Sequence, residues 1–229
     1  MPGAIAVIGA SGFIGDALCT SLRSAGHTVT GVTRANHAAH RDQTYDVVIN
    51  AAMPSRRYWA KRHPALDFAE TVQKTADLLY GWHFGTFIQI SSVSARCERD
   101  HVYGRHKAAA EALCDRADCL IVRLTAVYGD GMTKGALLDI AAGQPVYVDA
   151  ESRYAFTPLS FAVDWVAGHL DARGIVEVGA RNTISLREIA DHAGRSIAFS
   201  GPREFQDVEP PDSSFPDARE VLRFVDGLL

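Results

Sequence analysis

The stretch Gly9-Ala10-Ser11-Gly12-Phe13-Ile14-Gly15 decides the fold of this chain. It follows a short apolar run at residues 4–8 and opens a helix-like stretch at residues 13–25. A strand, a glycine-rich turn and a helix in this order bring a pyrophosphate against the N–H groups of the helix N-terminus. In this G-x-x-G-x-x-G spacing the first glycine permits the tight turn, the second lets the backbone approach the phosphates, and the third lets the helix lie close to the strand. The residues of this stretch are therefore candidate dinucleotide contacts, the alternative being a glycine-rich turn that binds nothing.

Length, composition and charge restrict the class of protein. The 229 residues are 47% hydrophobic and 22% charged, which suits one globular domain or one domain with a small appendage. A net charge of −4 without a long basic run argues against a nucleic-acid partner. No apolar stretch approaches the roughly 18 residues of a membrane span, so no membrane partner is expected. The four cysteines form no C-x-x-C pair and are typical of reduced thiols, and no signal peptide is apparent, which favours a cytoplasmic protein.

Apolar β-rich runs alternate with helical patterns along the first half of the chain. The runs at residues 4–8, 28–33, 45–51, 86–91 and 119–124 predict strands, and the patterns at 13–25, 64–82 and 103–117 predict helices. The strand runs are apolar without alternation, which is typical of strands buried on both faces. This pattern predicts an α/β fold, a Rossmann-type doubly wound parallel sheet with a small C-terminal substrate-covering part.

The character of the chain changes after residue 128. Shorter helices are predicted at residues 133–142, 160–171, 185–193 and 217–228, with one strand at 175–178. We therefore expect residues 1–128 to form the nucleotide-binding core and residues 129–229 a smaller substrate-binding part that is not independent. Only ten residues, 35–44, separate the second strand from the third. Because a helical crossover with an extra strand needs more residues, the sheet should be trimmed on that side.

The residues after the second strand bear on the choice of cofactor. In a dinucleotide fold this position meets the adenosine ribose, where an acidic residue favours NAD and an arginine accommodates the phosphate of NADP. Here the strand ends in Thr33-Arg34, and no Asp or Glu lies between Gly26 and Arg41. A guanidinium can pair with a phosphate that a carboxylate would repel, so NADP is favoured over NAD. The alternative is a solvated loop arginine. Ala51 and Ala52, which follow the third strand, are further candidate cofactor contacts.

Three polar residues form a candidate proton-transfer set. Tyr103 and Lys107 are four residues apart in a helical stretch and share one face, and Ser92 follows the fourth strand. A nearby ammonium group lowers the pKa of a phenol, which can then exchange a proton with a carbinol oxygen. The serine hydroxyl would hold the same oxygen as its charge develops. We expect Tyr103 and Lys107 to contact the cofactor as well; the alternative is a helix-start tyrosine and a surface lysine.

Other charged residues allow fewer conclusions. Arg56 and Arg57 follow the third strand and are candidate contacts for an anionic substrate group, although a solvated loop is an equal alternative. His106, between the two members of the candidate pair, is expected to point elsewhere. No H-E-x-x-H motif or Cys/His cluster is present, so no metal site is expected.

These motifs together resemble the extended short-chain dehydrogenase/reductase family of NAD(P)-dependent epimerases, dehydratases and sugar reductases. The resemblance covers most of the chain and rests on the glycine stretch, Asp46–Ala52, Thr71–Thr75 with Leu78-Leu79, Ile90–Ser92, Tyr103–Lys107 with Glu111, Arg123 with Val127–Gly129, and residues 174–189. It implies the roles given above to Ser92, Tyr103 and Lys107, a small-molecule substrate, and a homodimer through paired helices. Arg153 resembles the family arginine that pairs with a substrate diphosphate, and a surface charge is the alternative.

The resemblance also narrows the reaction. The stretches Y-G-R-x-K and R-x-x-x-V-Y are similar to dTDP-4-dehydrorhamnose reductases, which favours an NADP-dependent reductase of a ketone in a sugar or nucleotide sugar. An epimerase or dehydratase is the alternative enzyme, although Val93 and Ser94 stand where such dehydratases carry an acidic residue. A non-catalytic NADP-sensing regulator is the alternative outside enzymes. Ala126 replaces the family asparagine that contacts nucleotide sugars, and Ser92 and Tyr103 are only eleven residues apart.

Overall fold

The computed structural model of the protein describes residues 3–229. Its strands are β1 (Ala4–Ile8), β2 (Thr28–Val32), β3 (Thr44–Asn50), β4 (His83–Ser92), β5 (Cys119–Leu124), β6 (Val127–Tyr128), β7 (Arg153–Tyr154), β8 (Thr157–Pro158), β9 (Gly174–Val178), β10 (Ile184–Ser185) and β11 (Phe205–Gln206). Its α-helices are α1 (Phe13–Ser24), α2 (His37–His40), α3 (Arg57–Arg62), α4 (Pro64–Phe68), α5 (Lys74–Gly81), α6 (Ser94–Cys97), α7 (Val102–Leu113), α8 (Ala136–Ala141), α9 (Leu159–Gly168), α10 (Leu186–His192) and α11 (Val221–Asp226). A π-helical turn covers Ala69–Gln73 and a 3₁₀ turn covers Ala218–Glu220. Within the described range, every helix is too short or too polar to cross a bilayer.

The central sheet has six strands in the order β2-β1-β3-β4-β5-β9. The pairs from β2 through β5 are all parallel. Ile8 lies opposite both Val32 and Asn50, so β1, β2 and β3 end at the same level. The glycine turn, Thr33 and Ala51 therefore emerge side by side at the carboxyl edge of the sheet, and the predicted Rossmann-type α/β fold is confirmed.

The direction of the connections reverses at β1. The chain runs from β1 to β2 on one side and returns to β3 on the other side. Because parallel connections are right-handed, the helices before and after this reversal cover opposite faces of the sheet. On one face, Ser21 of α1 donates a hydrogen bond to Asp164 of α9 at 2.7 Å. On the other face, α3, α4 and α5 pack against α7. This reversal is the place where open α/β sheets bind their ligands.

The sheet is trimmed beyond β2, as the sequence predicts. The connection from β2 to β3 contains only the four-residue helix α2, and β2 is the edge strand. His37 of this helix packs edge-on against Trp82, which also stacks on Tyr45. A short helix with aromatic contacts therefore replaces a full crossover here.

The region after β3 is helical. The helix predicted for residues 64–82 is confirmed, since α4, the π-helical turn and α5 follow one another without a break over this range. The hydroxyl of Thr75, on α5, donates to the carbonyl of Thr71 in the π-helical turn at 2.7 Å, and such side-chain bonding to the preceding turn favours an altered helix geometry. The segment with Arg56 and Arg57 is also not a loop, because α3 begins at Arg57.

The described chain forms two compact units. The first contains the residues up to Leu124 together with Val163–Val176, and the second contains Thr125–Ala162 together with Glu177–Leu229. The second unit holds the two-stranded sheet β6-β8 and the three-stranded sheet β10-β7-β11. Most of α9 and the beginning of β9 belong to the first unit, because β9 completes the central sheet. The assignment of residues 129–229 to substrate binding stays a prediction.

The contact between α1 and the glycine turn gives a test of the fold. A Cβ on Gly15 would overlap the carbonyl oxygen of Gly9 and lie 2.7 Å from its carbonyl carbon. We expect Gly15→Ala to lower the free energy of unfolding by about 1–3 kcal/mol, because the helix must move off the strand. Gly168→Ala is the matched control, because a Cβ there meets nothing within 4 Å. Urea denaturation measures both; equal midpoints for the two variants would contradict the close contact.

Candidate active site

The glycine turn is held in place by backbone contacts that leave no room for side chains. Gly9 has a φ of +85°, and a Cβ there would lie 2.8 Å from the Cα of Ala52. The N–H groups of Gly9 and Ala10 both donate to the carbonyl of Val32, at 2.9 and 3.1 Å. Gly12 is the N-cap of α1 and is exposed, and no side chain caps the helix. The open N-terminus of this twelve-residue helix fits a pyrophosphate.

The side chain of Asn36 organises the segment after β2. Its Oδ1 accepts hydrogen bonds from the backbone N–H of Thr33 at 2.7 Å and from the hydroxyl of the same residue at 3.3 Å. Its Nδ2 donates to the carbonyl of Gly31 at 3.0 Å. Arg34 lies on this ordered turn and is exposed to solvent. Sequence reasoning missed Asn36, although an asparagine four residues after the end of β2 is a typical turn-forming signal.

A buried polar network fixes the ends of β3 and β4. The Nδ2 atom of Asn50 donates to Gln89 Oε1 at 3.0 Å, and its Oδ1 accepts from the N–H of Ala52 at 3.2 Å. The amide of Gln89 donates to the hydroxyl of Thr75 at 3.2 Å. Because all of these polar groups are buried and paired, the network favours one backbone conformation at Ala51 and Ala52. These two residues adjoin Gly9, as expected for candidate cofactor contacts.

The structure brings together the three residues of the predicted proton-transfer set. Ser92 ends β4 and is half-buried, whereas Tyr103 and Lys107 lie buried in the first turns of α7. The Nζ atom of Lys107 is 5.2 Å from the centroid of the Tyr103 ring. The side chain of Ser92 acts on the pKa of Tyr103 as a hydrogen-bond partner, and its Oγ accepts from the N–H of Ser94 at 3.3 Å. Their catalytic role stays a prediction, but their arrangement matches that role.

Burial is the largest influence on the pKa values of Tyr103 and Lys107. It raises the pKa of Tyr103 to about 12, against the positive charge of Arg57 and the hydrogen bond with Ser92, which both lower it. Burial also lowers the pKa of Lys107 to about 7, against the negative charges of Asp67 and Glu111, which raise it. In the structure without bound nucleotide, Arg57 is the cation that lowers the pKa of Tyr103.

Arg57 owes its position to the short connection between Ser92 and Tyr103. Its Nη1 lies 3.0 Å from Oε1 of Glu98, a buried residue of this connection. A Cβ on Gly104 would overlap the carbonyl of Glu98 and lie 2.6 Å from that of Ser94, so α7 lies directly against the segment. Arg57 thus lowers the pKa of Tyr103, an effect that sequence reasoning missed. Arg56 is exposed.

A second buried ion pair fixes α7 to the sheet. Glu111 accepts hydrogen bonds from Arg123 Nε at 3.1 Å and Nη2 at 2.7 Å, and from the hydroxyl of Ser91 at 2.6 Å. Arg123 lies on β5, and Ser91 lies on β4 next to Ser92. A bidentate arginine–carboxylate pair is geometrically specific, so it sets the rotation of α7 and the direction of its side chains.

Two further expectations have different outcomes. His106 has a specific partner, because its Nδ1 lies 2.7 Å from Oδ2 of the buried Asp67. Arg153 lies in the second unit, where its guanidinium donates to Thr183 and pairs with Glu188 at 3.2 Å. Its role toward a substrate stays a prediction. Among residues 3–229, no cluster of three His, Cys, Asp or Glu side chains could hold a metal ion.

The sequence and the structure are similar to known proteins. The model of the NAD dependent epimerase/dehydratase family matches residues 5–156. By sequence, no curated protein matches the chain. The family match confirms the resemblance stated from the motifs, and with it the expectation of an enzyme that uses a nicotinamide dinucleotide.

Solved structures share the fold over nearly the whole chain. TunA, an NAD dependent NDP-hexosamine 5,6-dehydratase involved in tunicamycin biosynthesis, has a TM-score of 0.81 at 19% identity, with 99% of this chain and 97% of that chain covered. The dTDP-4-dehydrorhamnose reductase from Bacillus anthracis, in complex with NADP, has a TM-score of 0.78 at 12% identity, with coverage of 100% and 99%. The UDP-glucose 4-epimerase from Thermus thermophilus, in complex with NAD, has a TM-score of 0.75 at 17% identity, with coverage of 99% and 100%.

The exposed Gly12 separates cofactor binding from folding. Its φ of −88° suits any residue, and a Cβ there would meet only the carbonyl oxygen of Gly9, at 3.2 Å. We expect Gly12→Ala to weaken NAD(P)H binding at least about tenfold, because the methyl group occupies space that the phosphates need. Fluorescence titration measures binding, with Gly168→Ala as the control and the unfolding midpoint as the check on the fold. Unchanged affinity would place the pyrophosphate elsewhere.

Proposed function

We propose, on the premise that the chain belongs to the NAD dependent epimerase/dehydratase family, that the protein is an NADP-dependent oxidoreductase. It reduces a ketone, or oxidises the corresponding alcohol, in a polar small molecule such as a sugar or nucleotide sugar. The observation that carries this proposal is the arrangement of Ser92, Tyr103 and Lys107 at the carboxyl edge of the sheet, the edge at which the glycine turn also lies. The substrate class follows the family and the structural neighbours, whose names refer to nucleotide sugars.

Each residue of the set has one task. Tyr103 gives its phenolic proton to the substrate oxygen during reduction, or takes it back during oxidation. Ser92 donates a hydrogen bond to the same oxygen and stabilises the charge that develops there. Lys107 lies near the phenol ring, where its ammonium form orients the ribose and favours the phenolate. When bound, the dinucleotide supplies or accepts the hydride.

Arg57 supports the same proton transfer. The phenol of Tyr103 is buried, which raises its pKa, and the guanidinium of Arg57 acts in the opposite direction. Glu98 holds this guanidinium by an ion pair, so the cation stays near the site without a substrate. Arg57 is therefore placed both to lower the pKa of the phenol and, together with the exposed Arg56, to attract an anionic substrate group. Arg153 stays a proposed contact for such a group.

The preference for NADP rests on the turn after β2. Asn36 fixes the backbone of Thr33, and the exposed Arg34 follows it at the position that meets the adenosine ribose. No Asp or Glu lies between Gly26 and Arg41, so no carboxylate of this segment would repel the additional phosphate of NADP from Arg34. NAD stays the alternative cofactor.

The competing functions differ in how they use the cofactor and in the residues that they need. An epimerase removes and returns a hydride on one retained cofactor, whereas a reductase exchanges the cofactor at each turnover. A dehydratase needs an acid beside the serine, where this chain has Val93 and Ser94; the next acid, Glu98, is paired with Arg57. A non-catalytic NADP sensor would not require Ser92, Tyr103 and Lys107 together. A homodimer and a cytoplasmic location are part of the proposal.

Substitution of the phenol tests whether the protein is an enzyme of this type. We expect Tyr103→Phe to lower turnover by about 10²–10⁴-fold while NADPH binding is retained, because only the transferable proton is lost. Tyr80→Phe is the matched control, since Tyr80 is exposed on α5. The assay follows NADPH oxidation with a panel of keto-sugars and nucleotide sugars. Full activity of Tyr103→Phe would exclude the proposed mechanism.

The cofactor released on denaturation distinguishes reductase from epimerase. We expect the purified protein to retain little nucleotide and to bind NADPH more tightly than NADH. In Arg34→Ala the NADPH affinity should fall about tenfold with little change for NADH, because one guanidinium–phosphate contact is lost. Mass spectrometry of the released nucleotide and calorimetry of both cofactors measure these properties. Tightly retained NAD⁺ would instead support an epimerase or dehydratase.

A further inference from the structure

We propose that two side chains, those of Asn36 and Arg23, close the free edge of the central sheet against a strand from a second copy of this chain. The free edge is β2, which pairs with β1 on one side and is the last strand of the sheet among those described. An edge strand presents a row of backbone N–H and C=O groups with which another chain can pair. The proposal involves neither nucleotide nor substrate, so it goes beyond the proposed function and does not depend on it.

The hydrogen bonds between β1 and β2 show which groups of β2 face outward. The carbonyl of Val32 accepts the N–H of Gly9, so the peptide groups of Val32 face β1. The peptide groups of successive residues point to alternate sides of a strand. Those of Val29, Gly31 and Thr33 therefore face away from β1, toward the free edge.

The amide of Asn36 takes the place of a residue in a neighbouring strand. Its Nδ2 donates to the carbonyl of Gly31 at 3.0 Å, and its Oδ1 accepts from the N–H of Thr33 at 2.7 Å. In a parallel ladder, one residue of the next strand forms this pair of bonds with its own N–H and C=O groups. A side-chain amide carries the same donor and acceptor, so Asn36 extends the ladder without a further strand.

Arg23 covers the other outward carbonyl of β2. It lies in the last turn of α1, and its Nη2 donates to the carbonyl of Val29 at 3.3 Å. The residue is exposed, so its guanidinium also places a positive charge beside the strand. Charged side chains at a sheet edge oppose the approach of a second edge. The outward carbonyls of Val29 and Gly31 are thus both occupied by side chains.

The short connection after β2 explains why side chains have this task. The N–H groups of Asn36 and His37 both donate to the carbonyl of Thr33, at 3.3 and 3.0 Å, and α2 begins at once. This turn directs the Asn36 amide back toward the strand it follows. A longer crossover could have supplied a further strand at this edge, whereas ten residues cannot.

Without these side chains, the edge would complement itself. In a two-fold symmetric, antiparallel pair of β2 strands, Val29 of one copy would lie opposite Gly31 of the other. Such a pair of residues exchanges two N–H···O=C bonds, since the N–H groups of both residues face outward together with their carbonyls. Each of these bonds needs a carbonyl that Arg23 or Asn36 now occupies.

Removal of both side chains tests the closure. We expect Arg23→Ala/Asn36→Ala to associate beyond the assembly state of the native chain, in a concentration-dependent step that doubles its mass, because the outward carbonyls are released. Sedimentation velocity over a range of protein concentrations measures this mass. A double variant that keeps the native mass at every concentration overturns the proposal.

A matched double variant controls for the loss of an amide and a guanidinium. Gln43 donates to the carbonyl of Ala39 and Arg203 donates to the carbonyl of Glu151, each at 3.2 Å, and neither residue bonds to β2. Gln43→Ala/Arg203→Ala should therefore keep the native mass. Equal association of the two double variants would overturn the proposal, because it would show that loss of polar side chains in general is sufficient.

A third substitution locates the contact. Val29→Pro removes an outward N–H of β2 without removing a hydrogen bond to β1, and edge strands tolerate proline at such a position. Added to Arg23→Ala/Asn36→Ala, it should restore the native mass. Association that persists in the triple variant would place the contact elsewhere and overturn the proposal.

A milder substitution serves if Asn36→Ala fails to fold. In Asn36→Ser the hydroxyl still supports the turn by accepting from the N–H of Thr33, but it is too short to donate to Gly31 as well. Combined with Arg23→Ala, it should give the same association. Because mass is the readout, absence of turnover or of nucleotide binding would contradict the proposed function and leave this result unaffected.

Discussion

The burial of the Lys107 amine is the constraint on which the arrangement of the first unit depends. Lys107 is 3% exposed, and this burial lowers its pKa to about 7, whereas the negative charges of Asp67 and Glu111 act in the opposite direction. Each carboxylate is held in turn, Asp67 by His106 and Glu111 by Arg123. These two pairs join α7, which carries Lys107, to α4 and to β5, and the Nζ atom of Lys107 lies 5.2 Å from the centroid of the Tyr103 ring.

A second constraint acts at the carboxyl edge of the sheet, where three strands end at one level. Because Ile8 is in register with Val32 and Asn50, the segments after these strands meet at the glycine turn. Gly9 fits against Ala52, and the N–H of Gly9 bonds to the carbonyl of Val32. The backbone, rather than side chains, thus shapes the surface that we propose for the phosphates, which explains why glycines occupy its closest contacts.

The short connection between Ser92 and Tyr103 affects the charges around the candidate site. Ten residues, 93–102, separate the two, and α6 and Glu98 fill the space directly against Gly104. Glu98 then pairs with Arg57 at the start of α3. As a result, the cation that lowers the pKa of Tyr103 comes from a different part of the chain than Lys107. The connection therefore contributes to the electrostatics of the site and not only to its shape.

The sequence by itself determined the elements and motifs that depend on local chemistry: the apolar strands, the glycine turn, the trimmed connection after β2, and the spacing of Tyr103 and Lys107. These were predictable because strand burial, tight turns and helical periodicity depend on neighbouring residues. Only the tertiary structure decided that Arg57 acts on Tyr103, that Asn36 fixes Thr33, and that Asp67 meets His106. The last pair is 39 residues apart in sequence, so its hydrogen bond forms only after packing brings α4 and α7 together.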